Sequence, residues 1–127
     1  MPSGGSWRAA FQGALELLSL PDPPTAFFTT ADLEALCVSG AATWKGLEIP
    51  DQLEIIGVEN SQLGKNSDPA LSTVGPDPTE HLAVDLLLAR LKGEAGEQGR
   101  KVPVPWKMRF RGTTQRQDAE PPGEPRP

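Results

Sequence analysis

Cysteine and histidine each occur once in the 127 residues, and that scarcity removes several classes of chemistry at a stroke. A lone Cys37 closes no internal disulfide, and no His and Cys set stands at metal-ligating spacing, a usage that fits a reducing cytoplasm. His81 falls in the first turn of a different helical stretch from the one bearing Cys37. No base is therefore paired with the thiol, and Cys37 reads as a small core residue. A Gly-rich phosphate loop and a Gly-x-Ser-x-Gly elbow are also missing, so neither a cofactor nor an enzymatic activity is expected. Positive charge is in deficit, with 12 Lys and Arg against 17 Asp and Glu, which gives a net charge of -5. Binding of nucleic acid by this chain alone is not expected on that balance, because such affinity rests on neutralising phosphates. Long apolar runs are lacking too. The stretch WRAAFQGALELLSL is interrupted by Arg8, Gln12 and Glu16, so it is neither a signal peptide nor a membrane span, and no membrane partner is expected. No repeat recurs at a constant period.

The chain is long enough for one domain. Residues 1–6 (MPSGGS) and 115–127 (QRQDAEPPGEPRP) are rich in Gly, Pro, Ser and charge, and both are expected to be disordered tails around a foldable part at 7–114. Within it Trp7, Phe11, Ala14, Leu15 and Leu18 mark one stripe of an amphipathic helix that ends before PDPP. The prolines then deliver an extended chain into a strand from Ala26 to Thr30. A second helix follows, with Thr30 or Asp32 as its N-cap, Gly46 as its stop, and Leu33, Leu36, Cys37, Gly40, Ala41 and Trp44 on a shared face. After the turn at Pro50–Asp51 comes an almost wholly apolar strand from Leu53 to Val58, as a central parallel strand covered on both faces should be. Gly57 within it permits close approach of a neighbouring element or a ligand.

SQLGKNSDPA reads as a polar loop and LSTVG as a third strand. Asp77, Pro78 and Glu80 supply a cap, a first-turn proline and a capping-box acid for a Leu-rich helix that stops at Gly93. The last extended segment, VPVPWKMRFR, alternates Met108 and Phe110 with Lys107, Arg109 and Arg111. That pattern describes an edge strand with a solvated basic face.

Strand, helix and strand over Pro24 to Asn60 make a right-handed βαβ unit and predict an α/β fold, an open, mostly parallel sheet with flanking helices in three layers. Ligands of such sheets bind at the carboxyl ends of the strands, which here are Thr29–Ala31 and Glu59–Asn60. Asp32 and Glu59 are two acids near that edge. Catalysis by the pair is not expected, because nothing in the chain forms a second lobe to exclude water. A carboxylate such as Glu59 can instead accept hydrogen bonds from two adjacent hydroxyls of a sugar-like ligand.

The order of these pieces carries a resemblance. A strand ending before Ala31–Asp32, an Ala- and Leu-bearing helix, Lys45-Gly46-Leu47-x-Ile49-Pro50-Asp51, and a strand closing Ile56-Gly57-x-Glu59-Asn60 resemble the effector-sensing domain of the lactose repressor/galactose repressor (LacI/GalR) family of bacterial transcription regulators. DPALSTVGPDPTEHLAVDLLLARLKGE and VPWKMRFRGTT are similar to that family's later segments. Nothing here matches the family's helix-turn-helix or the first half of its sensor. The resemblance implies a partial periplasmic-binding-protein-like (type I) sensor that works in transcription regulation in the cytoplasm. It also implies ligand-binding positions at Glu59, Asn60, Thr30 and Asp32. Where the family has Asp, Glu59 is a methylene longer; where sugar-responsive members have Asn, this chain has Ala31. The helix after Ala31–Asp32 builds the family's two-fold dimer, which points to Leu33, Leu36, Val38 and Ala42 as interface and to a homodimer, or a pairing with a full-length regulator, as the assembly. A periplasmic sugar-binding protein shares the architecture and remains an alternative, as does a dimerisation module or gene remnant without ligand. In the resembling family the helix from Pro78 to Lys92 packs on the first lobe. Leu82, Leu86, Leu87 and Leu91 therefore need another partner or face water.

Overall fold

The computed structural model describes residues 7–118, and the tail expectations for 1–6 and 119–127 lie outside them. Helix α1 (Trp7–Leu18) leads into β1 (Ala26–Phe28), α2 (Asp32–Trp44), β2 (Glu54–Val58), a one-turn α3 (Gln62–Lys65), β3 (Ser72–Pro76), α4 (Glu80–Leu91) and β4 (Trp106–Arg109). The strands form one sheet in the order β1-β2-β3-β4. The β1–β2 and β2–β3 pairings are parallel and β3–β4 is antiparallel, so this is an open, mostly parallel sheet with flanking helices. No helix among the described residues is long and apolar enough to cross a membrane.

The core sits where α1, α2 and one sheet face meet: Ala14 and Leu18 from α1, Ala35, Val38, Ala41 and Ala42 from α2, and Leu53, Ile55 and Leu71 from the sheet side. This corrects the expected face of α2. Leu33 is 51% exposed and Trp44 79%, while the alanines are buried. The helix is apolar almost all round, so its periodicity does not select a face, and tight packing between α1 and the sheet selects the smallest residues. Val38 and Ala42 are thereby packed in the core of the single chain and offer no exposed surface; Leu33 is exposed and Leu36 half-buried.

Capping differs in detail. Ala31 occupies the N-cap of α2 without a side-chain bond, and Glu34 Oε2 accepts from both the Thr30 hydroxyl (2.7 Å) and the Thr30 N–H (3.1 Å). Thr79, not Asp77, is the N-cap of α4, again without a side-chain bond. The stops at Gly46 and Gly93 are as the sequence suggests, each with φ near +73° to +74°. Part of the expected polar loop is α3, capped by Ser61 Oγ accepting from Gly64 N–H at 3.1 Å.

The return segment after β4 fastens the fold. Thr113 lies beside β2, donating its hydroxyl to Ile55 O (2.6 Å) and accepting from Ile55 N–H (2.9 Å). Ordered structure continues past the expected boundary at Thr114: Phe110 N–H donates to the Asp118 carboxylate, and Asp118 N–H to Phe110 O. By contrast none of residues 81–91 in α4 is buried, with Leu87 59% and Leu91 74% exposed.

Candidate functional site

At the carboxyl ends of β2 and β3 the chain turns sharply and opens a cavity of about 210 Å³, lined by Glu59, Asn60, Gln62, Lys65 and residues 76–79. Two consecutive non-glycine residues take positive φ there, Glu59 at 116° and Asn60 at 55°. Asn tolerates that region because its short side chain bonds locally, whereas Glu is strained in it. Gly75 makes the turn possible. A Cβ there would stand 2.6 Å from the Glu59 carbonyl carbon and 2.7 Å from Asn60 N.

Asn60 is buried and held at three atoms: its N–H donates to Thr73 Oγ1 (3.3 Å), its Nδ2 to Pro76 O (2.7 Å), and its Oδ1 accepts from Arg111 (2.7 Å). Its side chain thus has a structural duty, and it lends the cavity its wall. Glu59 differs. Among the described residues its carboxylate has no hydrogen bond or ion pair, and the residue is exposed at the rim.

Thr30 and Asp32 are not brought to this cavity. The Thr30 hydroxyl is held by Glu34, as above. Asp32 is buried, and its carboxylate accepts from Ser61 N–H and Oγ (2.7 Å each) and from Thr73 Oγ1 (2.6 Å), which ties α2 to the turn after β2 and to the first part of β3. The glycine at 57 admits this acid, since a Cβ there would lie 2.5 Å from Asp32 Oδ1. Close approach at Gly57 therefore serves a neighbouring element rather than a ligand. Asp32 works inside the fold as a strut; Ala31 holds the helix-cap position instead, and Asp32 does not line the cavity.

Asp77, on the cavity lip, bonds Lys107 (2.9 Å) and Arg109 across β3 and β4, and these bonds hold its carboxyl below the usual carboxylate range. The expected basic strand face is thus partly neutralised by Asp77. Burial, then the neighbouring Arg109, lowers the Arg111 guanidinium from its ordinary value. For Cys37, burial and then the Glu34 carboxylate push the thiol up, away from the reactive thiolate. Among the described residues no three His, Cys, Asp or Glu side chains cluster to hold a metal. The sequence pattern puts Arg111 on a solvated strand face, whereas it is half-buried and bonded to Asn60 and Leu71; Gly75 and Thr73 carry only a positional signal, as residues of a buried strand.

Comparison with known proteins gives the arrangement its context. The pattern of the periplasmic binding protein-like domain matches residues 2–114. The chain is 33% identical over 111 residues to the HTH-type transcriptional repressor CytR of Escherichia coli K12, covering 86% of this chain and 32% of that protein. It is 38% identical over 77 residues to the probable HTH-type transcriptional repressor ExuR of Bacillus subtilis 168, covering 61% and 23%. A LacI family transcriptional regulator from Arthrobacter sp. FB24, solved in complex with lactose, superposes with a TM-score of 0.73 at 27% identity, over 87% of this chain and 42% of that one. The chain spans about a third or less of the length of these curated relatives. It belongs to the periplasmic binding protein-like domain family, and within it is similar to part of LacI-type transcriptional regulators.

Proposed function

We propose that this chain senses a small polyhydroxylated effector, sugar-like in chemistry, on behalf of a LacI-type regulator in the cytoplasm, with Glu59 as the polar anchor. The observation that carries the reading is an exposed, unpartnered carboxylate on the lip of a cavity at the carboxyl edge of a parallel sheet. Such a group accepts from two adjacent hydroxyls, and Gln62, Lys65 and Thr79 supply further polar atoms around it. The lactose bound by the Arthrobacter relative supports a polyol as the ligand class. Because a hydrogen bond to a charged group contributes about 1.5–3 kcal/mol, Glu59→Gln should weaken binding roughly tenfold or more. Calorimetric titration with a panel of mono- and disaccharides, lactose included, is the test. Absence of binding to every sugar, or equal affinity in the variant, rejects the reading.

Assembly belongs to the same proposal. Leu33 and Leu36, joined by exposed Trp44, give α2 an apolar outer face suited to a homodimer or to pairing with a full-length regulator. Operator binding is not assigned to this chain, whose Lys107 and Arg109 are engaged by Asp77.

A further inference from the structure

We propose that Arg111, which does not line the cavity, is a positioning residue of this site: it holds Asn60 in the left-handed conformation and thereby aims Glu59 into the cleft. The proposal rests on the reading of Glu59 as the anchor. Its geometric half can be tested without any ligand.

A left-handed Asn preceded by a Glu at φ 116° does not persist unaided, since each such conformation is strained and is kept only where its surroundings over-determine it. Two backbone bonds pin the corner to β3, Glu59 N–H to Val74 O (2.8 Å) and Asn60 N–H to Thr73 Oγ1 (3.3 Å), and the Asn60 side chain supplies the remaining grip. Asn60 Nδ2 donates to Pro76 O at the end of β3, while Asn60 Oδ1 accepts from Arg111, whose other nitrogen donates to Leu71 O (2.9 Å) just before β3 begins. Asn60 is therefore strapped to both ends of the same strand, directly at one and through the guanidinium at the other. Arg111 is itself held, because its N–H donates to Ser72 Oγ (2.7 Å) and Thr113, two residues on, is bonded to Ile55. Gly75 leaves the corner room and supplies no grip. Removing the guanidinium frees Asn60 Oδ1 in a buried place and releases the corner toward ordinary extended backbone. Glu59 then swings from the lip, although Arg111 never touches it.

The consequence is that the segment returning from β4 governs the far end of β2, 51 residues away in sequence. A displacement of that segment reaches the anchor through one side chain.

The full chain, labelled for NMR, provides the test. In the wild type the three-bond amide–Hα couplings of Glu59 and Asn60, together with strong intraresidue amide–Hα NOEs, should report positive φ, and Arg111→Met should weaken those NOEs and move the couplings toward values averaged over extended backbone. Exchange of the Asn60 amide should quicken about tenfold while that of Ile55, in the sheet core, stays in its wild-type class. Lactose affinity, followed in the same samples, should fall about tenfold in Arg111→Met. In an Asn60→Gly background the same substitution should change affinity less than twofold, because the partner atom is already gone; a merely structural arginine would cost as much in either background. Should Arg111→Met fail to fold, Arg111→Lys, which keeps a single cationic donor, is judged by the same couplings. Unchanged couplings at Glu59 and Asn60, or shifted couplings with unchanged sugar affinity, overturn the proposal. A wild type that takes no lactose counts against that probe of the functional reading and leaves the couplings to decide whether Arg111 holds the corner.

Discussion

The two Leu-rich parts of this molecule have opposite fates. In the βαβ body, Leu18, Leu53 and Leu71 are sealed among α1, α2 and the sheet, with polar struts at its edge. In α4 an equally apolar sequence forms a regular helix from Glu80 to Leu91, yet none of residues 81–91 is buried. Local pattern is sufficient to make either helix. Burial requires a partner surface, and the body contains its own while α4 does not find one among the described residues. The difference teaches that helix formation and helix docking are separate questions, of which only the first is answered by composition and periodicity.

The largest expected effect would break this comparison if it failed. Leu53→Ala or Leu71→Ala should destabilise the fold by about 2–5 kcal/mol, the range for emptying a packed site, whereas Leu91→Ala should lie within about 0.5 kcal/mol of the parent. Urea unfolding read by far-ultraviolet circular dichroism separates the two. Equal costs at Leu71 and Leu91 would mean that α4 is docked in solution. The same asymmetry predicts binding of a hydrophobic dye before the melt, reduced when Leu87 and Leu91 are both replaced by Gln.

A smaller loss is expected at the strut. Asp32→Ala leaves Ser61 and Thr73 without their acceptor and should cost about 1–3 kcal/mol, the penalty for orphaned buried donors. Gly57→Ala sharpens the point from the other side, since a Cβ there collides with the same acid. If Asp32→Ala melts with the parent, the polar edge of the body is no strut.

Association comes next in size. Sedimentation across the micromolar range should show self-association that Leu33→Lys weakens, whereas Leu91→Lys, on the other apolar surface, should leave it unchanged. A reversal of those two responses would move the contact from α2 to α4.

Much of this was legible from the residues, and what was not has physical reasons. The strands, the long helices and both glycine stops follow from local signals, such as β-branched or apolar runs, stripe spacing and left-handed C-caps, which act over a few residues. The buried face of α2 was not legible, because a helix apolar on all sides offers no moment to read, and Leu33 and Trp44 look as eligible as Ala35 and Ala41. Glu59 and Asn60 were legible as strand-end residues, and both line the cavity there. Their support was hidden by distance: Arg111 and Thr113 bond to residues 51 and 58 positions away, and no local rule encodes such a pairing. Thr30 and Asp32 look alike on paper, two short polar residues at a strand end, and only the packing of Gly57 and Ser61 consigns Asp32 to the interior.

The smallest effect concerns the joint between the two regions. Asp77 sits where β3 leaves the body for α4, and Lys107 and Arg109 sit where the chain returns, so this ion-paired acid is the electrostatic clasp across the arm's base. Hydrogen bonds from Lys107 and then Arg109 lower its folded-state pKa relative to the unfolded chain. A lowered acid favours the folded state when ionised, so its contribution is present above the ordinary carboxylate pKa and disappears as pH falls through the lowered value. The acid is exposed, so salt should mute the effect. Amide exchange in β4 is the sensitive readout: at low ionic strength, acidification through that window should quicken the opening of β4 amides beyond the intrinsic pH effect. Asp77→Asn should show the looser strand already at neutral pH, with its acid response flattened, and the Ile55 amide should be indifferent in both proteins. Parallel loosening of Ile55 and β4 would show that arm and body open as one unit, against the division drawn from their burial.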